Sequence, residues 1–171
     1  MQVFMKEEKT VFYPYSSWLK QRYGEKVYKL PVNLPVSCPN RCDGHGGCTF
    51  CSEKGTGFES VWQPASVTEQ MQHARDVVAK RYKARKFIAY FQNYTNTFMA
   101  MELFKAYLEE AAAFPDVVEI SVSTRPDCIR TDYLRVWQTS GAHPRWHQYR
   151  IGIADGELSY LGQSSQRTWT G

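Results

Sequence analysis

No stretch of the chain approaches the ~20 consecutive apolar residues that span a bilayer, and residues 1–10 alternate charges of both signs without the apolar core of a signal peptide. Neither a membrane span nor a secretory leader is expected, so a cytoplasmic protein is. Charge of one sign is also lacking: 21 Lys and Arg against 17 Asp and Glu leave only +4. One dense basic run exists, Lys80 to Lys86, with Tyr82 interleaved. It reads either as an RNA-facing patch or as the solvated end of a helix, where cations suit the C-terminal dipole; the helix end is the preferred reading. There is no internal repeat and no low-complexity linker. The 171 residues suffice for one domain and its core. A hydrophobic fraction of 43% with 22% charged residues is ordinary for a globular chain, whereas 15% aromatics is high.

Cysteine is scarce except in one place. Of five cysteines, Cys38, Cys42, Cys48 and Cys51 fall within fourteen residues, spaced C-x3-C-x5-C-x2-C, and Cys128 stands alone. This is not the framework of a disulfide-stapled secreted protein. Gly44, Gly46 and Gly47 lie between the second and third sulfurs and let the backbone fold back without Cβ clashes. Clustered thiolates in so flexible a loop point to a metal. Four could close a tetrahedral zinc site, although x3 and x5 fit the paired C-x2–4-C knuckles of zinc modules poorly. Three could hold a 4Fe–4S cluster with one open iron. The spacing alone leaves both open.

Read in order, the chain alternates strand and helix. Ser16 to Tyr23 is a short helix that Ser16 or Ser17 can cap and Gly24 ends. Val27 to Asn33 is strand-like but broken by Pro31. Ser66-Val67-Thr68-Glu69 is a capping box, and Val67, Met71, Ala74, Val78 and Tyr82 give the helix it opens an apolar face. Lys86 to Gln92 reads as a buried strand. Ala100 to Ala113 is helical through Leu103, Phe104, Tyr107, Leu108 and Ala111, and after the break at Pro115-Asp116, Val117 to Ser123 is a third strand. Such alternation favours right-handed βαβ units and a parallel sheet, whose function gathers at the carboxyl ends of the strands. The cysteine loop, Gln92 to Thr97 and Thr124 to Cys128 all follow strands, so they are expected to form one site.

Several motifs in this order carry a resemblance: Tyr23 to Asn33, the cysteine loop, Ser52 to Gly57, Ala89 to Thr97 (Ala-Tyr-Phe-Gln-Asn-Tyr-Thr-Asn-Thr) and Ser123 to Cys128 (Ser-Thr-Arg-Pro-Asp-Cys). From about Tyr15 to about Leu134, the chain resembles the radical S-adenosylmethionine proteins of the YhcC type, relatives of the elongator catalytic subunit. The resemblance implies an α/β fold, the N-terminal part of a partial (βα)6 TIM-like barrel of about three βα units. It implies a 4Fe–4S cluster on Cys38, Cys48 and Cys51, through the C-x9-C-x2-C pattern, with Phe50 near the adenine of S-adenosylmethionine. It implies generation of a 5′-deoxyadenosyl radical, an electron donor such as flavodoxin or ferredoxin, and RNA as a candidate substrate. Cys42 lies outside that pattern and keeps a non-catalytic zinc-binding or RNA-binding module as the alternative.

Other residues have two readings each. Gln92 and Asn93, with Tyr94 to Thr97, offer neutral donors and acceptors for the methionine end or ribose of the cofactor, or else a strand-ending turn. Arg125 can fork onto a ligand carboxylate or onto Asp127 across the stiff Pro126. Cys128 reads as a small buried residue, His45 as exposed rather than a metal ligand, and Asp43 and Glu53 as solvated or turn-forming rather than catalytic.

After about Leu134 the resemblance stops. Three regions are expected: an N-terminal extension 1–14, a partial domain 15–136 and an atypical tail 137–171. Arg150 to Ser159 can be encoded CGA ATT GGG ATT GCA GAC GGT GAA CTA TCA. Read one base later, with the T of Tyr160, this spells Glu-Leu-Gly-Leu-Gln-Thr-Val-Asn-Tyr-His, similar to the fourth strand of the resembled family. Arg167 to Gly171 likewise allows Gly-His-Gly-Leu. A frame slip between about Arg130 and Arg150 is therefore expected. It would leave a barrel ending after its third strand with an exposed edge, few apolar contacts beyond about Gln138, and weak or absent catalysis.

Overall fold

A computed structural model describes residues 12–42, 47, 65–140 and 149–153, with 137–140 and 149–153 described by backbone alone. Helix α1 (Tyr15–Tyr23) leads into β1 (Val27–Val32) and a one-turn helix α2 (Pro39–Cys42). Then follow α3 (Val67–Tyr82), β2 (Lys86–Phe91), α4 (Met101–Ala113), β3 (Val117–Thr124), α5 (Thr131–Ser140) and β4 (Tyr149–Ile153). The strands form one parallel sheet in the order β1-β2-β3-β4. Each connection moves one strand onward in the same direction. Right-handed crossovers that never reverse put their helices on one face, and α3, α4 and α5 do share one core with the sheet.

That core alternates with the pleat. Leu30 and Val32 of β1, Phe87, Ala89 and Phe91 of β2, and Ile120 and Val122 of β3 point to the helices. They meet Val67 and Met71 of α3, Phe104, Leu108 and Ala111 of α4, and Tyr133 of α5. Each Val, Leu, Ile, Met or Phe among them contributes about 1.5–3 kcal/mol when fully buried. The opposite face is covered at one end by α1, where Leu19 packs on Val27 and Ile88, with Trp18 and Val118 beside them. Glu119 is buried too, and it accepts a hydrogen bond from the Tyr23 hydroxyl at 2.9 Å.

The expected α/β alternation and three strands are present, with four differences. Pro31 does not break β1, which continues to Val32. Among the described residues β1 is an edge strand, and a missing backbone N–H is tolerated there. Neither Ser16 nor Ser17 caps α1; the N-cap is Pro14, without a side-chain bond. Gly24 does end that helix, at φ 78°, its N–H donating to Lys20 C=O. Leu103 is 45% exposed rather than in the α4 stripe, which runs instead through Phe104, Leu108, Ala111 and Ala112. Lastly, β3 has no bare edge. β4 pairs with it in parallel from Ile120↔Tyr149 to Thr124↔Ile153, and α5 runs across the expected boundary at 136. The expected three-strand limit is corrected by that pairing: the tail segment supplies backbone N–H and C=O groups to the ladder.

The capping box is as expected. Ser66 Oγ accepts from Glu69 N–H at 3.2 Å, and Glu69 Oε2 accepts from Ser66 N–H at 2.8 Å. The basic run straddles the C-terminus of α3. Tyr82 stacks on Tyr28 with ring centroids 4.6 Å apart, while Arg85 and Lys86 lie 3.4 and 3.3 Å from Glu25. No helix among the described residues is long and apolar enough to cross a membrane.

Candidate functional site: three strand-end loops around Cys38

The carboxyl end of β1 is anchored before the cysteine loop begins. Gln70, inside the apolar face of α3, accepts from Asn33 N–H at 2.8 Å and donates to Asn33 C=O at 3.0 Å. The chain then turns into α2, where the N–H groups of Arg41 and Cys42 donate to Cys38 C=O. Gly47 folds back onto this turn, its N–H donating to Asn40 C=O at 3.1 Å. It adopts φ 100°, which a side chain resists, and a Cβ there would lie 3.4 Å from Arg41 Cγ.

The loop after β2 is stitched to both neighbours. Gln92 N–H donates to Val32 C=O and Thr95 N–H to Ser37 C=O, each at 3.4 Å. Asn96 is completely buried and spends both amide protons on backbone carbonyls, Phe91 at 3.0 Å and Ser123 at 2.9 Å. Thr97 and Thr124 share a hydroxyl–hydroxyl bond. Of the two readings of this loop, strand-ending chemistry accounts for Asn96 and Thr97. Asn93 is different. It is 2% exposed, and its Oδ1 accepts no hydrogen bond among the described residues. Tyr94 sits at φ 52° with the Arg41 guanidinium 5.2 Å from its ring centroid.

The loop after β3 brings Arg125 to the same end of the sheet. Its Nε and Nη2 donate to Asp127 Oδ1 and Oδ2 at 2.9 and 2.7 Å, and its Nη1 lies 3.9 Å from Cys38 Sγ. The fork is thus taken by Asp127 in this structure. These bonds raise the Arg125 pKa further, Asp127 first and Cys38 second, and hold the Asp127 carboxyl below its ordinary range.

The Cys38 thiol is shifted toward its thiolate. Burial acts to raise its thiol, but hydrogen bonds from the Thr95 side chain, the Asn40 backbone and Arg125 outweigh it, so the thiol lies below its ordinary value. A thiol held toward thiolate is prepared to bind metal. Cys128 goes the other way: it is half-buried rather than fully buried, and burial with the Asp127 charge pushes it up. Cys42 is exposed, its Sγ 3.8 Å from Ser37 Oγ.

The structure therefore brings Cys38, Thr95, Arg125 and Asp127 together, with Gln92 and Asn93 in the adjoining loop. Phe50, Cys48, Cys51, His45, Asp43 and Glu53 lie outside the described residues. Among the described residues no three His, Cys, Asp or Glu side chains converge to hold a metal. Sequence reasoning missed Thr95 as a donor to Cys38 and Gln70 as the clamp on β1. Gln70 left a signal, a single amide within the Val67–Met71–Ala74 face. Thr95 stood within the polar run after β2, but its partner depends on how the strands pair.

Fold and site together define a parallel α/β protein whose polar and thiol groups gather at the carboxyl ends of successive strands. Comparison with known proteins finds relatives for it. The chain is 39% identical over 117 residues to the uncharacterized protein YtqA of Bacillus subtilis, covering 67% of this chain and 36% of that one. It is 39% identical over 113 residues to YhcC of Escherichia coli K12, covering 65% and 35%. A protein of Methanocaldococcus jannaschii is 28% identical over 127 residues, covering 74% and 39%. Over that stretch the chain is a relative of the YhcC and YtqA proteins, and it spans about a third of their length. No family profile and no solved structure matches it.

Proposed function

We propose that this chain carries the cluster-binding part of a radical S-adenosylmethionine protein, its strands being the first of a partial barrel. Cys38, Cys48 and Cys51 are the proposed ligands of a 4Fe–4S cluster. The observation that carries the reading is Cys38 itself: a half-buried thiol after β1, lowered in pKa and joined to the loops after both β2 and β3. The donor set fits a cluster, since thiolates are what such a group takes.

When bound, the cluster and S-adenosylmethionine would supply one-electron chemistry that yields a 5′-deoxyadenosyl radical, with flavodoxin or ferredoxin as the class of electron donor. The chain's own residues bind and orient. Thr95 and Arg125 hold the Cys38 sulfur, while Asp127 fixes the plane of Arg125. Asn93 Oδ1, buried and accepting no bond among the described residues, supplies an acceptor for an ammonium group such as that of the methionine end. Gln92, one residue before it, is assigned to the same ligand, and Phe50 to its adenine. RNA is the proposed substrate class, on the resemblance to the elongator catalytic subunit.

Anaerobic reconstitution with iron and sulfide tests this reading. A brown protein carrying iron and sulfide in equal amounts supports it. A second reading, a non-catalytic zinc-binding or RNA-binding module, is favoured by Cys42, a fourth thiol one helical turn from Cys38. A colourless protein holding stoichiometric zinc would establish that reading instead.

A further inference from the structure

The guanidinium of Arg125 is committed in two directions. Its Nε–Nη2 edge, the edge that matches a carboxylate, is filled by Asp127 at 2.9 and 2.7 Å. This leaves Nη1, which lies 3.9 Å from Cys38 Sγ. Because the guanidinium is planar, fixing one edge fixes where the other amino group points. Asp127 is 60% exposed and Arg125 28%, so the carboxylate is largely solvated while the charge it steers sits at a half-buried sulfur. The two partners are 87 residues apart in sequence, so the contact exists only because β1 and β3 end on the same side of the sheet.

We infer that Arg125 is a positioning residue that donates to the Cys38 sulfur and raises the reduction potential of the cluster Cys38 would ligate, an inference that rests on the cluster reading above. The physical reason is charge. A cluster becomes more negative on reduction, and a cation or hydrogen-bond donor at a ligating sulfur stabilises the reduced state more than the oxidised one. Asp127 acts through Arg125 by holding its plane. A purely structural alternative exists, in which the Arg125–Asp127 pair only braces the turn around Pro126. It predicts altered stability and no specific change in potential.

The experiment compares the anaerobically reconstituted wild-type chain with Arg125→Lys and Arg125→Met. Iron content and circular dichroism are measured first, then the reduction potential by a mediated titration followed by electron paramagnetic resonance. The expected result is equal iron in all three, a lower potential in Arg125→Met, and a value nearer wild type in Arg125→Lys, which keeps the charge. Equal potentials in wild type and Arg125→Met at full iron overturn the inference and leave the cluster reading standing. Equal shifts in Arg125→Lys and Arg125→Met also overturn it, because they assign the effect to the lost brace. Should Arg125→Met fail to fold, Arg125→Gln takes its place: a lower potential supports the inference, an unshifted one overturns it. A wild-type chain that assembles no cluster overturns the reading and the inference together.

Discussion

Gln70 holds both ends of Asn33: the amide oxygen accepts from its N–H at 2.8 Å, and the amide nitrogen donates to its C=O at 3.0 Å. One buried side chain on α3 thereby sets the exit direction of β1, five residues before Cys38. Gln70→Leu is of similar size but withdraws both bonds, together with the one that the amide nitrogen donates to Ala65 C=O at 3.0 Å. It is expected to cost about 1–3 kcal/mol per buried group left poorly satisfied. A lower urea midpoint with unchanged slope would show this; an unchanged midpoint would make the clamp irrelevant to stability.

A second prediction concerns the floor of the sheet. The Tyr23 hydroxyl donates to the buried Glu119 carboxylate, and burial, with the Glu119 charge, raises the Tyr23 pKa well above the usual phenol value. The neutral phenol is therefore favoured in the folded state. Its contribution is complete below the unfolded pKa of about 10 and is lost progressively as pH rises from there toward the folded value. Tyr23→Phe is expected to lower stability at neutral pH by about 1–3 kcal/mol. It should also flatten the loss of stability above pH ~10. Denaturation at several alkaline pH values checks both parts, and parallel curves for wild type and variant would refute the second.

The two described cysteines nearest Arg125 should differ in reactivity. Cys38 is lowered and Cys128 raised relative to an ordinary thiol. In the metal-free protein, alkylation by iodoacetamide resolved by peptide mass spectrometry should therefore show an earlier pH onset at Cys38 than at Cys128. Arg125→Met should move the Cys38 onset upward. Coincident onsets in the wild-type protein would contradict the hydrogen-bond arrangement around Cys38.

Much of the fold was legible because periodicity and caps are local. The Ser66–Glu69 box, the Val67–Met71 face of α3, the apolar run of β2 and the turn at Gly24 all lie where the residues indicate. What was not legible depended on neighbours in space. Pro31 is compatible with β1 because, among the described residues, that strand lies at an edge. Leu103 flanks the α4 stripe instead of joining it, because α3 and the sheet meet the face defined by Phe104 and Leu108. β4 lies in a segment without a clear period, and its place is set by pairing along β3. In the site, thiols and strand-end motifs were visible in the sequence, and their meeting was inferred from topology. That Asn96 serves as a strap, Thr95 as a donor to sulfur and Arg125 as a link from Asp127 to Cys38 required the geometry.

The central claim, that Cys38, Cys48 and Cys51 hold an iron–sulfur cluster, is tested most directly by iron content after anaerobic reconstitution of single cysteine variants. Cys38→Ala, Cys48→Ala and Cys51→Ala are each expected to abolish cluster binding. Cys42→Ala and Cys128→Ala should leave iron nearly unchanged, since Cys42 is exposed and lies outside the C-x9-C-x2-C spacing, and Cys128 stands apart in the loop after β3 with its thiol pushed up by burial and the Asp127 charge. Loss of the cluster in Cys42→Ala with retention in Cys38→Ala would contradict the account.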